Sequence, residues 1–92
     1  MTTAKQARLP IRSQEDVVIV RQAVRGSAVE IGLSLIDQTK VVTAASEIGR
    51  NTLVHGGGGS VLIEQLENSG RRGLRLSFED QGPGIADIDR AL

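Results

Sequence analysis

The chain has 92 residues, of which 39% are hydrophobic, and its eleven basic and eleven acidic side chains give a formal net charge of zero. This length allows one small domain, and the balanced charge together with a single aromatic residue, Phe78, argues against nucleic-acid binding. The sequence has no cysteine, which excludes disulfides and thiolate metal sites, and no apolar run approaches the roughly 20 residues of a membrane span. We therefore expect a soluble, cytoplasmic protein that binds no membrane.

The first elements are a strand and a helix. Residues 1–6 are polar and are expected to be flexible, whereas residues 7–12 predict a short strand. Pro10 restricts this strand to a sheet edge, because proline cannot donate a hydrogen bond to a ladder. Ser13 and Asp16 then form a capping-box pattern that predicts the start of the first helix.

A second helix follows. The apolar spacing of the first helix runs to Gly32, a predicted C-cap, and Asp37 is the predicted cap of the next helix. Its core stripe consists mostly of small residues: Val41, Ala44, Ala45, Ile48 and Thr52. Four glycines, residues 56–59, end this helix and predict a flexible connection. A P-loop is excluded, because the order is helix, glycines, strand, and no lysine follows.

The second half of the chain predicts a β-hairpin. Residues 60–67 and 74–80 are rich in β-favouring residues, and residues 68–73 between them have turn composition. Three apolar side chains of the returning strand share one face: Leu74, Leu76 and Phe78. One face of the sheet should therefore pack on the helices. Residues 87–92 predict a helix or a turn.

Two short motifs carry the chemistry. Glu47 and Asn51 are four residues apart on one helical face, with Arg50 close enough to orient the Glu47 carboxylate. Such a carboxylate can accept a proton from a hydroxyl or water, and the amide oxygen can ligate Mg²⁺. Asp80 ends a strand before the glycines of residues 81–84, where it can accept a hydrogen bond from an exocyclic amine such as that of adenine. A solvated helix face and a plain turn are the alternatives.

Both motifs, in this order, resemble those of the GHKL class of ATP-binding proteins. Residues 47–51 look like its N box, and residues 80–84 look like its G1 box. The form of residues 46–52, followed by residues 54–59, is similar to that of RsbT-type serine/threonine kinases, the switch kinases of bacterial stressosomes. The resemblance spans roughly residues 8–92.

The resemblance implies an α+β fold, a two-layer α/β sandwich of the Bergerat type, with ATP held between helices and sheet. It implies that Glu47 is the catalytic base toward a serine of a STAS-domain partner and that Asn51 ligates Mg²⁺. Nucleotide-binding roles are implied for Asn51, Arg50, Asp80, Gly82 and Gly84. His55 fits either a helix-end cap or a residue of the cleft. The implied cofactors are ATP and Mg²⁺, and the implied partners are STAS-domain proteins and a regulatory phosphatase.

The family continues into an ATP lid, a second glycine box and further strands. We therefore expect residues 1–92 to form a single, incomplete domain: the N-terminal portion of the fold, with the lid and last strands absent. Such a portion should bind ATP poorly, be inactive by itself, and self-associate through uncovered apolar surface.

Two other functions stay open at this point. In the first, the fold is a non-catalytic docking module for STAS-domain or phosphatase partners, which would not need the Glu47 carboxylate. In the second, the chain is the ATP-binding fragment of a sensor histidine kinase, which would require an upstream helical segment with a phospho-acceptor histidine.

Overall fold

The computed structural model describes residues 2–81 and 85–91, and in these residues two helices cover one face of a four-stranded antiparallel sheet. The elements are β1 (Thr2–Ile11), α1 (Gln14–Glu30), α2 (Leu35–Val54), β2 (Gly59–Asn68), β3 (Arg71–Asp80) and β4 (Ile85–Ala91). The strands are paired in chain order, β1-β2-β3-β4. Within this part of the chain, neither helix combines the length and the apolar character needed to cross a membrane.

β1 is an edge strand, as Pro10 predicts, but it begins at Thr2 instead of residue 7. Residues 2–6, expected to be flexible, pair with β2, where Thr2 lies opposite Glu67. The side chains of this half of the strand are exposed on both faces of the sheet. It therefore lacks the alternation of apolar and polar residues by which a strand is predicted.

α1 begins where the sequence predicts and ends one residue earlier than predicted. The Ser13 side chain accepts a hydrogen bond from the backbone N–H of Asp16 (3.2 Å), and the Asp16 carboxylate accepts one from the N–H of Arg12 (2.9 Å). These bonds satisfy donors that the helix leaves open at its N-terminus. Its C-cap is Ile31, not the predicted Gly32, and Gly32 follows with φ of 84°, the left-handed conformation that suits glycine.

α2 starts earlier than predicted. Its N-cap is Ser34, which accepts a hydrogen bond from the N–H of Asp37 at 3.1 Å. The cap assignment to Asp37 is therefore wrong: this residue lies in the first turn, where its negative charge is favourable near the helix N-terminus. At the other end His55 is the C-cap, and its N–H donates to the carbonyl of Asn51 at 2.9 Å. The interpretation of His55 as a helix-end residue is confirmed.

The β2–β3 hairpin is confirmed, with a shorter turn. Asn68 and Arg71 are paired, so the turn consists of Ser69 and Gly70 alone. Their φ angles are 52° and 83°, and two positive φ angles match the type I′ turn that joins antiparallel strands. The loop is shorter than the predicted residues 68–73 because Asn68 and residues 71–73 are paired between β2 and β3.

The prediction of a helix or turn from residue 87 is wrong, since residues 87–91 belong to β4. In its register with β3, Ile88 lies opposite Leu76 and packs against the core. Asp89 lies opposite Arg75 and pairs with it, with 3.1 Å between Oδ1 and Nε. A segment expected to be a helix or a turn therefore adds a strand to the sheet, with Ile88 in contact with the core.

The core lies between the helices and one face of the sheet. The inward orientation predicted for Leu74, Leu76 and Phe78 is confirmed, since each is at most 1% exposed. The other core residues that are fully buried are Ile11, Val20, Val24, Ala28, Val41, Ala45 and Val61. The predicted α+β class is confirmed, and its two layers, helices and sheet, share this core.

Candidate functional site

Glu47 and Asn51 lie on the last two turns of α2, and both are exposed. Ala45 and Thr52 lie on the buried side of the helix. Gly49 faces α1, since a Cβ added at this glycine would lie 3.5 Å from Cγ1 of Val17. Glu47 and Asn51 are therefore displayed together on a side of α2 that packs neither on the sheet nor on α1. This arrangement agrees with the prediction that they share one helical face.

Arg50 is exposed on the same part of α2. In the described part of the chain, no hydrogen bond or ion pair joins Arg50 to Glu47. The structure thus gives no support to Arg50 as the group that orients the Glu47 carboxylate, and its role toward a nucleotide stays a prediction.

The four glycines after α2, here called the glycine loop (residues 56–59), are held by hydrogen bonds to the helix end. The N–H of Gly56 donates to the carbonyl of Asn51 at 3.1 Å, and the N–H of Gly58 donates to that of Thr52 at 2.9 Å. Gly57 and Gly58 have φ of 74° and 92°, a region that residues with a Cβ rarely adopt. The glycine loop therefore has a defined backbone, and its interpretation as a flexible connection is not supported.

The glycine loop also contacts the end of β3. The N–H of Gln81 is shared between the carbonyls of Gly56 (3.2 Å) and Gly58 (3.1 Å). Gly56 lies directly against Asp80, and Gly59 lies against the carbonyl of Glu79. A continuous set of backbone contacts thus connects the Asn51 end of α2 to the Asp80 end of β3. The two motifs named from the sequence meet through the glycine loop.

An open groove of about 610 Å³ lies beside this junction. It is lined by Arg12, the glycine loop residues 57–59, Ser60, Glu79, Asp80 and Gln81. Its volume is within the range of small-molecule sites. Asp80 is half-buried and is one of the lining residues, and the neighbouring glycines leave room for a flat heterocycle to approach the backbone without meeting a Cβ. Adenine binding in this groove stays a prediction.

A magnesium ion fits less directly. Across residues 2–81 and 85–91, no three His, Asp or Glu side chains gather into a metal-binding cluster. Asn51 can offer one amide oxygen, and Mg²⁺ commonly takes one or two protein ligands and completes its shell with water and substrate phosphates. Two further predicted nucleotide-binding residues, Gly82 and Gly84, lie outside the described residues.

The chain is 40% identical over 87 residues to the serine/threonine-protein kinase RsbT of Bacillus subtilis (strain 168). The chain is RsbT-like. The resemblance predicted from the two motifs is thereby confirmed, and it covers 95% of the chain. The chain spans 65% of the length of RsbT. No family model and no solved structure matches the chain.

The sequence interpretation missed two parts of this site. One is Arg12, which lines the groove from the segment between β1 and α1. The other is the contact of Gly56 with Asp80, which joins residues far apart in the sequence. The available signal was the position of the glycine run, which starts directly after the helix that carries Asn51.

Proposed function

We propose that these residues belong to an ATP-dependent serine kinase of a bacterial partner-switching stress response, whose substrate is a STAS-domain partner. The observation that carries the proposal is the junction through the glycine loop, because it brings the helix end with Asn51 next to the strand end with Asp80. The similarity to RsbT, a protein named as a serine/threonine kinase, supports the reaction class. A Bergerat-type arrangement of the helices over the sheet is part of the same proposal.

Each residue has a separate role in this proposal. ATP supplies the phosphoryl group and Mg²⁺ neutralises its charge. The Glu47 carboxylate accepts the proton of the serine hydroxyl, and its exposure allows a protein substrate to reach it. The Asn51 amide oxygen would hold the metal, and the Asp80 carboxylate would accept a hydrogen bond from the adenine amine. Phosphoryl transfer depends chiefly on such positioning and charge stabilisation.

The test is phosphate transfer by the full-length protein to a STAS-domain partner with radiolabelled ATP. Glu47→Ala should lower labelling by roughly a hundred-fold or more, the usual contribution of a general base, while partner binding stays within a few-fold. The matched control is Glu67→Ala, which removes an exposed carboxylate from the distant end of β2. Full labelling by the Glu47→Ala protein would remove Glu47 from the reaction.

A docking module is the second candidate, and a groove between the helices favours it. This groove, of about 410 Å³, is lined by Val18, Arg21, Gln22, Arg25, Gly26 and Val42. Val18 is 46% exposed, and no described carboxylate forms an ion pair with Arg21 or Arg25. An apolar floor with two cations suits an acidic segment of a protein partner. The test is partner switching in cells. Docking is favoured over catalysis if the Glu47→Ala protein still supports the switch and the Arg21→Glu, Arg25→Glu double variant does not.

A further inference from the structure

We infer that Gly56 is a positioning residue for Asp80 and that it thereby sets the preference of the site for adenine. The inference rests on the proposed function, in which the Asp80 carboxylate receives the exocyclic amine of the base. It assigns a role to a residue that lies outside both motifs.

The first argument is steric. A Cβ at position 56 would lie 2.5 Å from the Cβ of Asp80, 2.7 Å from its Oδ2 and 2.8 Å from its Cγ. Non-bonded carbon atoms are most stable at about 3.5–4.0 Å, so all three approaches are too close. The nearest atom is the Asp80 Cβ, which is fixed to the backbone. A rotation about χ1 could therefore not relieve the overlap, and either the strand end or the glycine loop would have to move.

The second argument concerns the backbone. Gly57 and Gly58 adopt positive φ angles that require glycine, but Gly56 does not have φ in the left-handed region. The φ angle at position 56 therefore does not require glycine, and alanine is opposed there by the contact with Asp80. This separates Gly56 from its neighbours, where glycine is needed for conformation.

The third argument is the hydrogen bonding next to Asp80. The Gln81 N–H bonds to the carbonyls of both Gly56 and Gly58, so the residue after Asp80 is tied to the same loop. A shift of Asp80 away from position 56 would stretch these bonds. Gly56 and Gln81 together hold the position of Asp80, one of the residues that line the groove.

The structural part of the inference is tested without nucleotide. In Gly56→Ala, amide hydrogen exchange at Gln81 should accelerate by about ten-fold or more, because its hydrogen bonds lose their geometry. The matched control is Gly26→Ala in α1, where no described heavy atom lies within 4 Å of the new Cβ. Exchange at Gln81 in this control should equal that of the unmodified protein.

A double-mutant cycle identifies the opposing side chain. Asp80→Gly removes the Cβ that position 56 meets, so Gly56→Ala should destabilise the protein less in the Asp80→Gly background than alone. Urea unfolding of the four proteins measures this. Additive effects, or unchanged exchange at Gln81 in Gly56→Ala, would overturn the contact as the reason for glycine.

The functional part is tested by calorimetry and kinetics on the full-length protein with Mg-ATP and Mg-GTP. Gly56→Ala should weaken ATP binding by about ten-fold and leave GTP binding nearly unchanged, so that the preference for ATP falls; a ten-fold change is 1.4 kcal/mol. It should raise KM for ATP with little change in kcat, unlike Glu47→Ala, which should lower kcat. An unchanged ATP-to-GTP ratio would overturn the role in base selection. If the unmodified protein binds neither nucleotide, the proposed function itself is overturned. Amide exchange at Gln81 would still show in that case whether the contact between Gly56 and Asp80 requires glycine.

Discussion

Glu30, the last residue of α1, connects this helix to two strands through its side chain. Its carboxylate accepts a hydrogen bond from Gln65 of β2 at 2.8 Å and pairs with Lys5 of β1 at 3.2 Å. The hydrogen bond from Gln65, followed by the hydrogen bond and charge of Lys5, holds the pKa of Glu30 below its ordinary value. Because the group is exposed, solvent screens the interaction with Lys5.

Lys5→Ala should raise the pKa of Glu30 toward its ordinary value. A carboxylate with a lowered pKa in the folded state stabilises the fold above its unfolded pKa of about 4.3, and this contribution is lost as pH falls through the folded pKa. The variant should therefore be slightly less stable than the unmodified protein near pH 7, and the difference should vanish at about pH 2.

Carboxyl NMR titration and urea unfolding at both pH values check this prediction. Lys40→Ala is the control, since Lys40 is exposed and forms no ion pair in the described part of the chain. An unchanged Glu30 titration in Lys5→Ala would show that the ion pair is not formed in solution.

Asp80→Asn should weaken ATP binding and the preference for ATP over GTP. The change keeps the shape of the side chain beside Gly56 but removes its charge. A hydrogen bond to a buried amine contributes about 1 kcal/mol when neutral and up to about 3 kcal/mol when charged, which corresponds to roughly ten-fold or more in affinity. Calorimetry on the full-length protein measures it, with Asp89→Asn as a control at an exposed ion pair with Arg75. If Asp80→Asn changes neither the affinity for ATP nor the affinity for GTP, Asp80 is excluded from the base site.

Among single residues, the sequence predicts a role for those whose motif lies within a few residues of the chain. Glu47 and Asn51 are named by their spacing on one helix, and Asp80 by its place at a strand end. The role of Gly56 could not be predicted, because the Asp80 contact depends on how α2 and β3 approach each other in the fold. The glycine spacing marks the loop but does not reveal what the loop touches.

At the scale of elements, the caps of the helices have measurable consequences. Ser34→Ala removes the acceptor for the Asp37 N–H at the start of α2 and should cost about 1 kcal/mol, with a fall in Tm of about 4–8 °C for a domain of this size. Ser34→Asn keeps an acceptor at the same position and should lose much less. Thermal unfolding of both proteins checks this. Equal losses would mean that the hydroxyl does not act as a cap.

The two helices and the hairpin were predictable because their apolar residues repeat with the period of each structure. α1 and β3 each place a regular apolar face on the core. The first half of β1 and the whole of β4 were not predictable as strands. The side chains of the first are exposed on both faces of the sheet, and the second is identified as a strand by its pairing with β3. Pairing with a neighbour is a long-range property that local pattern does not contain.

At the scale of the whole molecule, stability depends on a small core. Leu76, fully buried on β3 between two paired strands, is central to it. Leu76→Ala should cost about 2–5 kcal/mol through lost burial and the resulting cavity. This is a large part of the roughly 5–15 kcal/mol by which a typical domain is stable.

Urea unfolding of Leu76→Ala against Leu62→Ala provides the comparison. Leu62 is only partly buried on β2, so the same chemical change there should cost clearly less. Similar losses in both variants would contradict the placement of the core on one face of the sheet.

The pairing of β1 with β2 has a consequence for how the protein is made. Thr2 lies opposite Glu67, so β1 leaves the ribosome long before its partner has been synthesised. The two helices, which are adjacent in sequence, can form in that interval, whereas β1 has no partner until β2 has been synthesised. During this time its backbone groups are open to strands of neighbouring chains on the same messenger RNA. Lys5, Arg8 and Pro10 are residues of the types that discourage such pairing.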